Sequence, residues 1–210
     1  MRLIIYVGFL SSVILFAAQS SGAIPSDAGD VNPIGTGNPV PAVEVVTPEG
    51  VAVPLRDIMD GEPTVLVFYR GGWCPYCNTQ LSGLAEVEPR LRELGYGIIA
   101  LSADRPEKVA EATRESDFDY RLFSDASMRA AKSFGVAFRV DDETFEMLQG
   151  HGIDLESASG EDHRLLPVPA VFLIDADGVI RFRYYNPDYR ERISGEALLN
   201  AADEALREKS

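Results

Sequence analysis

The sequence predicts one α/β domain with a mixed central β-sheet covered by helices. Two continuous apolar, β-branched runs, Thr64–Tyr69 and Gly97–Ser102, have strand length and no polar face, the pattern of strands buried on both sides. The first is followed by a segment whose apolar residues recur at helical spacing, and a helix is expected after the second. Near the end, Val171-Phe172-Leu173-Ile174 and Val179-Ile180-Arg181-Phe182-Arg183-Tyr184 flank Asp175-Ala176-Asp177-Gly178, a strong hairpin signal.

Taken in order, short β-branched runs at 43–46 and 51–53 surround Thr47-Pro48-Glu49-Gly50 and predict an N-terminal hairpin. The first buried strand leads through Gly71-Gly72 into a helix from Pro75, with Leu81, Leu84, Ala85, Leu91 and Leu94 on its apolar stripe and Gly95 closing it. Pro89 is expected to kink or break that helix. After the second strand a helix starts near Pro106, then a short strand at 121–123 and a short helix at 126–134, closed by Gly135. Residues 136–166 read as an irregular insertion, partly helical near 144–148. Ser194 is placed to cap a final helix whose apolar face includes Leu198, Ala201 and Ala205. There is no internal repeat.

Ahead of the domain, expected to span 43–210, lie two segments of different character. Arg2, an apolar stretch over 3–18 and the small-residue exit Ser21-Gly22-Ala23 form the pattern of a secretory signal at 1–23. The same stretch is close to the length of an uncleaved membrane anchor. Either way the protein is expected to be exported, periplasmic or secreted, with a possible membrane anchor. Residues 24–42 are rich in Gly, Pro, Ser and Asp and read as a flexible linker. At 210 residues one domain with a substantial core is accommodated, and the net charge of -14 with no basic cluster argues against nucleic acid as a partner.

The chain has two cysteines, both in Cys74-Pro75-Tyr76-Cys77. An exported protein that uses cysteine as a staple spreads several along the chain, and so small a ring constrains little of the unfolded state. The chemistry of the pair is therefore more informative. Cys74 falls at the N-terminal edge of the helix beginning at Pro75, where proline fits the first position and unpaired backbone N–H groups stabilise a thiolate. Such a site lowers a thiol pKa from about 8.5 into the ~3.5–7.5 range. Cys77, one turn on, is placed to attack a bond formed at Cys74, so Cys74 is the expected nucleophile. Zinc would need two further ligands, and His151 and His163 lack the spacing to supply them; no metal or other cofactor is called for. Trp73 packs beside the thiol and would shield it, and Tyr76 lines the site or is exposed. Val168-Pro169 precedes the last central strand, either as a strand-opening proline or as a cis-proline facing the Cys turn.

The run Val67-Phe68-Tyr69-Arg70-Gly71-Gly72-Trp73-Cys74-Pro75-Tyr76-Cys77, with Val168-Pro169 and Phe172-Leu173-Ile174-Asp175-Ala176-Asp177-Gly178-Val179-Ile180-Arg181, resembles thioredoxin-fold proteins. More narrowly it resembles the peroxiredoxin-like branch of the alkyl hydroperoxide reductase/thiol-specific antioxidant family, over roughly residues 40–207. The resemblance implies a thioredoxin-like fold, Cys74 as peroxidatic cysteine, Pro169 as the superfamily's cis-proline and Arg181 as the arginine that steadies the thiolate and polarises the peroxide. It implies peroxide reduction through a Cys74–Cys77 disulfide, recharged by an external thiol protein or small thiol. Peroxiredoxins carry Pro and Thr or Ser seven and three residues before that cysteine; here Val67 and Gly71 stand there. The Cys spacing favours the close alternative, protein thiol–disulfide exchange, whereas the chain-wide resemblance and Arg181 favour peroxide reduction. A non-enzymatic metal-binding or chaperone module built on the pair is the third reading.

Overall fold

The computed structural model describes residues 23–209 apart from residue 117. Of the expected signal or anchor at 1–23, all but residue 23 therefore lies outside the described residues. Among the described residues no helix is long and apolar enough to cross a membrane.

The α/β expectation holds. The elements run β1 (Glu44–Val46), β2 (Ala52–Pro54), α1 (Leu55–Met59), β3 (Thr64–Tyr69), α2 (Pro75–Glu93), β4 (Gly97–Ser102), α3 (Pro106–Glu115), β5 (Arg121–Ser124), α4 (Arg129–Ser133), β6 (Ala137–Arg139), α5 (Asp142–Gly150), α6 (Leu155–Ser159), β7 (Leu165–Pro167), β8 (Ala170–Ile174), β9 (Ile180–Tyr185) and α7 (Gly195–Lys209). Seven strands form one sheet in the order β2-β1-β5-β4-β3-β8-β9. β3 and β4 are parallel, as are β4 and β5, while β8 runs antiparallel to β3 and pairs with β9 as the expected hairpin.

All six residues of β3 are buried because the sheet is covered on both faces. Leu66 and Phe68 point into one layer with Phe134 and Phe172, against α1 and α4. Val65, Val67 and Tyr69 point into the other with Leu81, Leu84 and Leu198, against α2 and α7. Each such side chain contributes roughly 1.5–3 kcal/mol by leaving water. Ser194 caps α7 as expected, its Oγ accepting from Ala197 N–H at 3.1 Å.

Three expectations need correction. Helix α2 runs unbroken through Pro89, which is exposed, while Leu84, Glu88 and Leu91 stay buried on the opposite side. Packing of that stripe outweighs one lost backbone bond. Residues 24–42 are not a free spacer. Arg139 N–H donates to Pro25 O at 2.7 Å, Ile34 N–H to Phe134 O at 2.9 Å, and Gly37 N–H and Val40 N–H to the Ile180 and Gly178 carbonyls at 2.8 Å each. Val31 and Val40 are buried. Gly and Pro content reports local backbone preference, whereas the partners that hold this segment lie more than 90 residues away in the chain. Finally, the insertion at 136–166 is regular: β6 and β7 pair as a small separate sheet around α5 and α6.

Candidate active site

Cys74 is the N-cap of α2 in extended conformation, with Pro75 at the first helical position, as the sequence predicts. The turn before it is tied down from three sides. Cys74 N–H donates to Gly71 O at 3.2 Å, and the Asn78 side-chain amide donates back to Gly72 O at 2.9 Å. From the end of β4, the buried Asp104 carboxylate accepts from Gly72 N–H at 2.7 Å and from Trp73 Nε1 at 3.1 Å.

Both cysteines are free thiols and both are buried, Cys74 2% exposed and Cys77 fully enclosed. The Cys74 thiol is pulled down to about 6, chiefly by the hydrogen bond from Cys77, with the Cys77 backbone N–H and the positive charges of Arg70 and Arg192 adding to it against the cost of burial. Cys77 is pushed strongly upward by that same bond and by burial. The pair is therefore one thiolate and one thiol donating to it, in the order expected for a nucleophile at Cys74. Alkylation of Cys74 by iodoacetamide, followed against pH, is expected to titrate with a midpoint near 6 rather than near the ~8.5 of a free thiol. A midpoint above 8 would remove the stabilised thiolate.

Two arginines converge on the sulfurs. Arg70, the residue after β3, is buried between aromatic rings, its guanidinium carbon 5.1 Å from the Trp73 centroid and 4.3 Å from that of Tyr189. Arg192, from the loop before α7, directs Nη2 to Cys77 Sγ at 3.6 Å and is steadied by Nε donating to Gln80 Oε1 at 2.8 Å. Tyr189 also meets Tyr76 edge-on at 5.7 Å, and Tyr76 is exposed.

Above Cys74 opens a groove of about 400 Å³, walled by Trp73, Pro75, Tyr76, Pro169 and Tyr189 on the core side and by Phe138, Met147 and Leu148 of the insertion on the other. Pro169 therefore faces the Cys turn, but through a trans peptide bond. Its carbonyl accepts from Asn186 N–H and Val168 N–H donates to Val136 O. That backbone is not offered to a ligand in the way a substrate-presenting cis-proline would require.

A model of the AhpC/TSA family matches residues 36–183. The chain belongs to the AhpC/TSA family. It is 26% identical to Peroxiredoxin Bcp of Escherichia coli over 170 residues, covering 81% of this chain and 96% of that one. It is 31% identical to the putative peroxiredoxin bcp of Haemophilus influenzae over 106 residues, 50% of this chain and 68% of that one. Thiol-disulfide oxidoreductase ResA of Bacillus cereus is also similar, at 24% over 160 residues, 76% of this chain and 75% of the relative. Among solved structures, Peroxidoxin BcpB from Mycobacterium tuberculosis shares the fold with a TM-score of 0.62 at 23% identity, covering 83% of this chain and 97% of its own.

Within this AhpC/TSA site, Arg181 does not take the place the resemblance implied. Its Nε and Nη2 pair with the Asp175 carboxylate at 2.7 Å. Asp175 follows Ile174, which pairs with Thr64 at the start of β3, whereas Cys74 follows Tyr69 at the other end. Five residue steps at ~3.3 Å put about 17 Å between the two ends. Arg181→Gln is accordingly expected to lower stability by roughly 1–2 kcal/mol, by removing the charged partner of the mostly buried Asp175, while changing peroxide kinetics less than twofold. A large kinetic loss with unchanged stability would return Arg181 to the site. Arg70, Arg192 and Asp104 were not singled out from the sequence. The one signal for Arg70 is a charge directly abutting a fully apolar strand. Arg192 stands in a run of surface-like arginines and gives none.

Proposed function

We propose that this protein is a thiol-dependent oxidoreductase that reduces peroxides. The observation that carries the reading is Cys74 as the N-cap of α2, lining a groove with Arg70, beside a Cys77 that Arg192 contacts, in a chain of the AhpC/TSA family. Relatives named peroxiredoxin support the substrate class. Cys74 Sγ attacks the terminal peroxide oxygen, the O–O bond breaks, and the departing oxygen leaves as alcohol or water after taking a proton. The Cys74 sulfenic acid then condenses with Cys77, releasing water and closing the disulfide. An external thiol restores the dithiol.

The thioredoxin-type spacing of the cysteines and the similarity to ResA favour protein thiol–disulfide exchange as the second reading. Against it stands the occupied backbone at Val168 and Pro169. For a metal-binding module the imidazoles are poorly placed. His163 Nε2 lies 2.7 Å from Ala126 O while its Nδ1 accepts from Leu165 N–H, and His151 Nδ1 lies 2.8 Å from Met147 O. Among the described residues no group of three or more His, Cys, Asp or Glu is arranged to hold an ion.

The same reading sets the protein to work after export, periplasmic or secreted. What supports this is the basic residue, apolar stretch and small-residue exit of residues 1–23.

The test compares hydrogen peroxide, an organic hydroperoxide and a protein disulfide as oxidants of the purified dithiol protein. Peroxide consumption sustained by a thiol, with intact-mass loss of two hydrogens after one equivalent, is expected. Peroxide loss no faster than the thiol blank, beside rapid disulfide exchange with the protein substrate, would transfer the assignment to the second reading.

A further inference from the structure

Arg70 is a buried cation with an unusual set of neighbours. Only 6% of it is exposed, its Nε has no hydrogen-bond partner, and its charge lies against the rings of Trp73 and Tyr189. Arg192 spends its donors on the Gln80 side chain, the Tyr189 and Glu191 carbonyls and Cys77 Sγ. None of the ion pairs among the described residues includes either arginine. The hydrogen bonds of nearby carboxylates go to other groups. Asp188 forks onto Arg190, Asp141 caps α5 through Thr144, and Asp104 holds the far side of Trp73. A buried charge needs a counter-charge. Here the thiolate of the cysteine pair is the anion that the two arginines share.

We infer that Arg70 and Arg192 make the Cys74–Cys77 pair an oxidising couple, whose disulfide is readily opened by a low-molecular-weight monothiol. Closing the disulfide removes the thiolate from beside both cations, so the oxidised form bears a cost that the dithiol form does not. A couple whose reduced form is selectively stabilised accepts electrons easily. The inference rests on the proposed reading that Cys74 and Cys77 form the disulfide, and adds the redox poise of the pair and the class of donor.

The geometry assigns each arginine a step. Cys74 lines the groove whereas Cys77 is fully enclosed, so a small thiolate RS⁻ reaches Cys74 Sγ. The S–S bond breaks and its electron pair passes to Cys77 Sγ, beside Arg192 Nη2 at 3.6 Å. Cys77 takes a proton. A second thiolate attacks the RS sulfur of the mixed disulfide, releasing RSSR and returning the Cys74 thiolate to Arg70. Two RSH are oxidised, one protein disulfide is reduced, and the dithiol is restored. A groove of about 400 Å³ between Trp73 and the insertion admits a small thiol to this buried sulfur, while a folded protein dithiol would have to displace the walls.

The experiment equilibrates the full-length protein with mixtures of reduced and oxidised glutathione, thioredoxin being treated in parallel, and reads the free-thiol fraction by alkylation. The dithiol is expected to be favoured at least a hundredfold more than in thioredoxin, equivalent to about 60 mV for a two-electron couple. The reduced protein is also expected to melt above the oxidised one. This advantage grows as pH rises from about 6 towards ~8.5 and is absent below 6, because a depressed thiol pKa stabilises the fold only where the unfolded thiol would be protonated. Arg192→Gln and Arg70→Met should each shift the equilibrium back towards the disulfide at least fivefold. Should the Arg70 variant fail to fold, the Arg192 variant and the melting comparison decide. A disulfide that forms but is as stable as that of thioredoxin would sink the inference alone. Failure to form any Cys74–Cys77 disulfide would overturn both it and the proposed resolution step.

Discussion

Cys74→Ser is expected to lower the second-order rate of peroxide consumption at least ~1,000-fold, to the level of the thiol blank. Cys77→Ser should preserve the first attack. The reason lies in the order of protonation within the pair. Cys74 carries the depressed pKa and lines the groove, while Cys77 is enclosed and acts as the donor to the thiolate. A serine at 74 has neither the acidity nor the polarisability to displace an oxygen from oxygen. A serine at 77 still offers a hydrogen bond to Cys74, so the first oxidation should slow by less than about tenfold, but the sulfenic acid then has no thiol partner. Stopped-flow oxidation of the Cys77 variant should end in a species trapped by a sulfenic-acid reagent, and excess peroxide should carry it on to the sulfinic acid. Peroxidase activity surviving in Cys74→Ser would place the nucleophile at Cys77 and invert the scheme.

Gly71→Thr, which restores the hydroxyl residue usual at that position in peroxiredoxins, is expected to harm this protein. Gly71 has φ of +153°, and a Cβ there would lie inside contact distance of Trp73 Nε1 and only 2.6 Å and 2.8 Å from the Asp104 carboxylate oxygens. The same carboxylate holds Gly72 N–H and the Trp73 indole, the two groups that set the approach of the chain to Cys74. A side chain at 71 must push Trp73 into the groove or Asp104 out of its bonds. The predicted cost is about 2–4 kcal/mol in unfolding free energy, with at least ~10-fold loss of peroxide rate from misplacing the thiolate. Denaturant unfolding and peroxide kinetics on the same preparation check both. A Gly71→Thr protein that is as stable and faster would show that the turn can relax around a hydroxyl. The departure from the usual motif thus has a local cause. This family member supports its turn with Asp104 and Trp73 and its charge with Arg70 and Arg192, leaving no room for the usual residue.

The sequence by itself determined the elements that depend on neighbours in the chain. Periodicity marked β3 and β4, turn residues marked the β8–β9 hairpin, Ser194 marked the start of α7, and Pro75 after Cys74 placed the thiol at a helix N-terminus. Each reads correctly because it rests on interactions within a few residues. What only the tertiary structure decided is which distant groups meet the sulfurs. Arg192 reaches Cys77 across 115 positions and Gln80 across 112, and Asp104 reaches Trp73 across 31. Nothing in local pattern distinguishes Arg192 from Arg190, which turns outward to Asp188. Arg181 illustrates the converse, since its place after an Asp-x-x-Gly turn suggested the active site. The antiparallel register of β8 on β3 instead carries it to the far end of the sheet. The same holds for residues 24–42, whose composition promised freedom until backbone partners on β9 and at Phe134 held them down. The Cys74–Cys77 turn was legible because a helix end acts on its own cap. Its electrostatic surroundings were not, because in a folded chain charge acts through space and is blind to sequence order.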